Sequence, residues 1–296
     1  MTSKSKPNPK TKAKKPLSKP SAKAVAKKPA KKSAKPELGL DSGVAETYAQ
    51  AMKLHLEGNL AQAQSLYLTV LSEAPQNFDV HHSLGLICAQ QGKFTEAQEY
   101  FHLAIDIKPS SAQAHNNLAN TYISLGDYKK GLTQYNKAIK LNPEYVEAIN
   151  NRGIAQRKLK QLDEAYESFS LAIEVKPNFT EAIFNRANVL VEMKKIEQAL
   201  EGYDQVLAIK PDHAGALNNR GVVLRSQQQY EQALQNFSRA IEVQPNYTEA
   251  HNNRGYALLA LQRAKEAIED FKKALMLNPQ YQAAADGLAQ AQKALG

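Results

Sequence analysis

The sequence predicts an all-α chain of seven tandem 34-residue helix-turn-helix units followed by one extra helix. Three observations carry that expectation. Pro75, Pro109, Pro143, Pro177, Pro211, Pro245 and Pro279 stand 34 residues apart, and the other six prolines all fall in the first 36 residues. Proline breaks a helix interior but suits its exit, so the spacing marks seven units ending at the same place. Within each unit, apolar residues recur every three or four positions in two blocks of about 14, the period of a helix. The blocks are parted by a short break at Gly58, Gly92, Gly126 or a polar equivalent, where a turn belongs.

Taken in order, the units run 44–77, 78–111, 112–145, 146–179, 180–213, 214–247 and 248–281. Position 8 is always small: Ala51, Gly85, Ala119, Gly153, Ala187, Gly221 and Gly255. Position 20 is small as well, from Ala63 and Ala97 through Gly131 to Ala165, Ala199, Ala233 and Ala267. Position 24 is always aromatic: Tyr67, Phe101, Tyr135, Phe169, Tyr203, Phe237 and Phe271. Two small residues beside an aromatic wedge let a pair of helices pack closely as a hairpin. Residues 282–296 begin an eighth unit without a second helix, and Gln290, Gln292 and Lys293 give them the wet outer face of a capping helix.

This signature of small, small, aromatic, small and proline resembles the tetratricopeptide repeat family over residues 44–279, all seven units keeping one register. The tryptophan expected near position 4 is replaced by Thr47, His81, His115, Ile149, Ile183, Leu217 and His251. The resemblance implies antiparallel helix pairs stacked into a right-handed superhelical solenoid, the first helix of each pair lining the concave side. With positions 8, 20 and 24 used for packing, positions 2, 5, 6, 9, 12 and 13 form a second stripe on the first helix.

That stripe carries the candidate site. Position 6 is Asn117, Asn151, Asn185, Asn219 and Asn253 in five successive units. Asparagine costs about 0.5–0.7 kcal/mol against alanine inside a helix, so its repetition asks for a compensating role. A carboxamide offers a donor and an acceptor and can hold the backbone of an extended peptide while ignoring its side chains. Such a row resembles the asparagine ladder of the repeat region in O-linked N-acetylglucosamine transferases, where it holds extended polypeptide. Duplication of one unit, with solvated or helix-bridging amides, is the competing reading. Asn120, Asn188, Phe184 and Tyr256 are the expected modulators of partner choice. The carboxylate clamp that the family uses on free C-termini wants lysine at position 5, which here holds His82, Asn116, Asn150, Phe184, Asn218 and Asn252, so that mode is disfavoured.

Position 7 changes from Leu84 and Leu118 to Arg152, Arg186, Arg220 and Arg254. Glu147, Glu181 and Glu249 are the expected structural ion-pair partners. The alternative is a positive strip, reinforced by Arg157 and Arg225, that attracts acidic segments. His81, His115 and His251 read as packing residues, and Cys88 as a small hydrophobe. No phosphate-binding glycine loop, zinc-type histidine pair or nucleophile elbow is visible, so neither enzyme activity nor a metal or cofactor is expected.

Residues 1–36 hold thirteen lysines and no acidic residue, so of the net charge of +9 the remainder carries −4. A disordered basic tail is expected over 1–37 and the solenoid over 38–296. The tail suits weak, salt-dependent tethering to nucleic acid or an anionic surface. A lone cysteine, no signal-like apolar run and no run of some 20 apolar residues lead to the expectation of a cytoplasmic protein without a transmembrane segment. The function expected is a scaffold or adaptor that binds an extended segment of a partner protein in its groove. Two alternatives stand beside it: the recognition subunit of a glycosyltransferase system, and polyanion tethering through the tail.

Overall fold

The computed structural model describes residues 42–295; the basic tail and the tethering expected of it lie outside the described residues. The first helices of the units are α1 (Ser42–Leu56), α3 (Phe78–Gln90), α5 (Ala112–Ser124), α7 (Val146–Lys158), α9 (Thr180–Glu192), α11 (Ala214–Ser226) and α13 (Thr248–Ala260). Their second helices are α2 (Leu60–Glu73), α4 (Phe94–Ile107), α6 (Tyr128–Leu141), α8 (Leu162–Val175), α10 (Ile196–Ile209), α12 (Tyr230–Val243) and α14 (Ala264–Leu277). The extra helix α15 (Gln282–Lys293) packs on α14 and α13, burying Ala284, Gly287 and Ala291.

Each second helix packs on its own first helix and on that of the next unit, and first helices of neighbouring units also touch one another. Second helices make no comparable contact. A stack crowded along one edge and fanned along the other must curve, and the crowded first helices take the inside. The result is a right-handed superhelical solenoid in which each unit contacts only its neighbours.

Local chemistry sets each bend. The last-turn carbonyl of every second helix accepts the N–H of the residue before proline, as in Ala74 to Val70 and Lys210 to Val206, both at 2.8 Å. Proline then prevents continuation. The histidines at position 4 act at this corner: His81 Nε2 lies 2.8 Å from the Pro75 carbonyl oxygen, and His251 Nε2 lies 3.0 Å from that of Pro245. They tie the unit to the preceding corner. The turn inside each unit needs one left-handed residue. It is Gly58, Gly92 or Gly126 at φ of 75–81° in the first three units, then Lys160, Lys194, Gln228 and Gln262 at 59–62°.

The core uses two recipes, which alternate through units 1 to 6, unit 7 repeating that of unit 6. Where position 24 is phenylalanine, position 8 is glycine, because an added Cβ would stand 2.6–2.8 Å from the ring, as at Gly85 against Phe101 and Gly221 against Phe237. Where position 24 is tyrosine, position 8 is alanine. In units 3 and 5 the buried phenol meets an asparagine at position 9: Tyr135 Oη donates to Asn120 Oδ1 and Tyr203 Oη to Asn188 Oδ1 at 2.7 Å. A buried hydroxyl without such an acceptor would be costly. Burial pushes the Tyr203 hydroxyl up to about 12 and Tyr135 further still.

Candidate functional site

The five ladder asparagines lie on the inner helices, each partly buried. None is an isolated solvated amide. Every ladder amide donates backward to the preceding unit. Asn117 Nδ2 meets His82 Nε2 at 2.9 Å, Asn185 Nδ2 donates to Asn150 Oδ1 at 3.1 Å, and Asn253 Nδ2 donates to Asn218 Oδ1 at 3.0 Å. Asn151 and Asn219 instead donate to Asn120 Oδ1 at 3.4 Å and Asn188 Oδ1 at 2.9 Å. The choice follows the core recipe: where position 9 is asparagine it takes the bond, and elsewhere position 5 does.

Position 5 steadies the other end of the ladder amides. Asn116, Asn150 and Asn218 donate through Nδ2 to the Oδ1 of Asn117, Asn151 and Asn219, at 3.2, 3.5 and 3.1 Å. All three position-5 amides are buried. An amide has two N–H groups and two acceptor lone pairs, so Asn117, Asn151 and Asn219 keep one donor and one acceptor site beyond these bridges, and Asn185 and Asn253 keep one donor and both acceptor sites. Beside Asn117 and Asn120, a recess of about 100 Å³ opens between Leu86, Ala89 and Thr121.

The modulators differ in access. Asn188 is 8% exposed and its Oδ1 serves both Tyr203 and Asn219, which makes it a positioning residue for the ladder. Asn120 is partly buried and likewise serves Tyr135 and Asn151. Phe184, partly buried, packs on His213, the last residue of its own unit and the N-cap of α11, with ring centroids 4.9 Å apart. Tyr256 is partly buried, with its hydroxyl donating to the Ala283 carbonyl oxygen at 2.8 Å.

The position-7 arginines do not use the expected carboxylates; Glu147, Glu181 and Glu249 are exposed. Their guanidinium groups reach instead to second helices. Arg152 Nε donates to Ser168 Oγ at 3.0 Å and Nη1 to Asn136 Oδ1 at 3.2 Å. Arg220 does the same with Asp204 at 2.7 Å and Asn236 at 3.2 Å. Arg254 grips Asp270 through Nε and Nη2, both at 2.7 Å, and Ser238 at 3.3 Å. Arg186 has only Ser170 at 3.5 Å and the face of Tyr166. Partners therefore lie 16 residues before or after each arginine. These side chains clasp units together, and Arg220 and Arg254 meet carboxylates there, Asp204 and Asp270. Burial pushes the Asp270 carboxyl up, but bonds from Arg254 and His251 outweigh it and hold the group below the usual aspartate range.

The remaining reactive side chains are quiet. Cys88 is buried, and burial raises its thiol pKa. Among the described residues no group of three or more His, Cys, Asp or Glu side chains is gathered around one point, and no helix is long and apolar enough to cross a membrane.

Comparison with known families gives the repeat its identity. A TPR repeat profile matches residues 85–126 and 221–262, and Tetratricopeptide repeat profiles match 112–145, 146–179, 180–213, 203–235 and 248–281. The chain belongs to the tetratricopeptide repeat family. Tetratricopeptide repeats build protein-interaction scaffolds, and that is the functional class the matches support. Among solved structures, the fold is similar to a tetratricopeptide repeat protein from Parabacteroides merdae, with a TM-score of 0.68 and 20% identity over 85% of this chain and 100% of that one. It is also similar to Pseudomonas aeruginosa pilF, with a TM-score of 0.64 and 22% identity over 72% of this chain and 97% of that one. A third is YrrB, described as a TPR protein with an unusual peptide-binding site, with a TM-score of 0.51 and 22% identity over 64% of this chain and 97% of that one. No curated protein matches the sequence at a significant level.

Proposed function

We propose that this tetratricopeptide scaffold holds an extended segment of a partner protein along its inner face, with Asn117, Asn151, Asn185, Asn219 and Asn253 hydrogen-bonding to the segment's backbone. The observation that carries the reading is the unbroken row of partly exposed, pre-oriented amides. Each is anchored by its neighbours yet keeps bonding capacity. Anchoring removes side-chain freedom before a ligand arrives, which reduces the entropic cost of binding. Each backbone bond contributes about 1 kcal/mol net, so the ladder supplies modest affinity and partner choice falls to the side chains around it. Phe184 and Tyr256 offer apolar contact, and Asn120 and Asn188 set the tilt of Asn151 and Asn219. YrrB, similar in fold, is a precedent for a peptide site on such a scaffold.

Changing Asn151, Asn185 and Asn219 together to alanine tests the proposal. Peptide capture should weaken by about tenfold or more, the loss of two or three such bonds. Because the same amides bridge units, circular dichroism at the binding temperature must show the helices intact. Undiminished capture by a folded triple variant rejects the ladder as the binding element.

A further inference from the structure

On the inner face, Arg157 at position 12 of unit 4 bonds through Nε to Glu192, at position 13 of unit 5, and Lys160 Nζ reaches the same carboxylate at 3.1 Å. Two units later the constellation recurs without its anion. Arg225 holds position 12 of unit 6, Gln228 stands for Lys160, and Ala260 stands where Glu192 does. Arg225 is partly buried and has no hydrogen bond or ion pair among the described residues. Its guanidinium lies over the Tyr256 ring, 5.6 Å from the centroid. Tyr256 is itself fixed by its bond to Ala283 and by edge-on packing against Phe271, centroids 5.0 Å apart.

An arginine stacked on an immobilised aromatic keeps its planar fork of N–H donors ordered and available for a carboxylate. Burial pulls the Arg225 pKa down, the phenols of Tyr256 and Tyr230 act in the other direction, and no carboxylate contributes. The Asp286 carboxylate acts on Tyr256 and is engaged by Gln282 Nε2 at 2.8 Å. The cation is thus partly stripped of water and left without a counter-charge, a state that an arriving anion relieves.

We infer that Arg225, on its Tyr256 platform, is the anion-recognition point of the inner face and takes the side-chain carboxylate of an acidic residue in the bound peptide. The inference rests on the peptide-binding reading above and adds the partner's chemistry. Arg157 differs, because its Nε is already engaged by Glu192.

The test uses the full-length chain, a randomised library of C-terminally amidated peptides, and the variants Arg225→Gln and Ala260→Glu. The second variant rebuilds the Arg157–Glu192 pair at Arg225 in a backbone that already accepts it. The wild type should enrich Asp or Glu at one peptide position, and both variants should lose that preference by about tenfold while still capturing neutral sequences, as expected for one charge-assisted contact. Acid enrichment that survives both variants places anion recognition elsewhere and overturns the inference. In parallel, the Nε–Hε NMR signal of Arg225 is followed during titration with N-acetyl-glutamate amide, with N-acetyl-glutamine amide as control. A shift with the acid alone upholds the anion point even where the library captures nothing and the peptide reading fails; no shift overturns it.

Discussion

In units 2 and 3 the residue at position 7 is a fully buried leucine, Leu84 or Leu118, whereas in units 4 to 7 it is an arginine bonded to flanking second helices. The left-handed turn changes at the same boundary, from glycine to lysine or glutamine. One backbone plan thus accepts two interface chemistries. Leucine seals the joint by removing apolar surface from water. Arginine covers the same seam with its methylene stem and adds directional bonds at its tip. The first chemistry is forgiving of its neighbours; the second draws on acceptors at position 25 of the unit before and position 23 of its own unit, and Arg186, with Gly202 at position 23, keeps only Ser170. A solenoid can mix the two because each joint depends only on adjacent units.

The largest test of this contrast compares Leu84→Ala with Arg254→Ala by urea unfolding. Leu84→Ala should cost about 2–5 kcal/mol through lost burial and a cavity. Arg254→Ala should cost about 3 kcal/mol, mainly because it strands the 5%-exposed Asp270. The two variants separate in the rescue. Adding Asp270→Leu to Arg254→Leu should restore most of the stability, since a well-packed apolar pair can replace a buried ion pair. Failure of that rescue would mean the C-terminal joints require charge for more than sealing.

A smaller effect is expected at the turns. Lys194→Gly should stabilise by about 1 kcal/mol at most, because glycine removes left-handed strain but adds freedom to the unfolded chain. Gly92→Lys should destabilise by about the same amount, and thermal melts of the two variants measure the pair. Equal and opposite shifts would show that the turn change is independent of the arginine change beside it.

The smallest effect is one of pH, and it should be confined to the C-terminal units. The folded-state pKa of Asp270 is lowered, so its contribution is present above the unfolded aspartate value and is lost as pH falls through the folded one. Hydrogen exchange of α13 and α14 should therefore speed up below the usual aspartate range in the wild type, relative to α3 and α4. In Asp270→Asn that acid sensitivity should be absent.

Much of the architecture was legible because its signals are one-dimensional. Proline every 34 residues gave the unit, and Gly85 with Phe101 or Ala119 with Tyr135 gave the packing pair. The phase of the ladder asparagines could be read in the same way. Their bonding could not, because donation to position 5 or to position 9 is settled by whether a tyrosine at position 24 needs an acceptor there. The expected arginine partners, Glu147, Glu181 and Glu249, lie on the arginines' own first helices, whereas the bonds run between helices. Ser168, Asp204 and Asp270 sit on the adjacent second helices, and a recurring interval of 16 residues was the signal that could have found them. Arg225 stood out only once Arg157 had shown where its counter-charge should be.

The alternation of phenylalanine and tyrosine cores through units 1 to 6 has a bearing on how such a chain can grow or shrink. Excising units 4 and 5 together would set Asn219 against Asn120 in place of Asn188, so every amide would find the kind of acceptor it has now. Heredity could therefore trade these segments in couples with little repair, and the natural quantum of lengthening is the doublet.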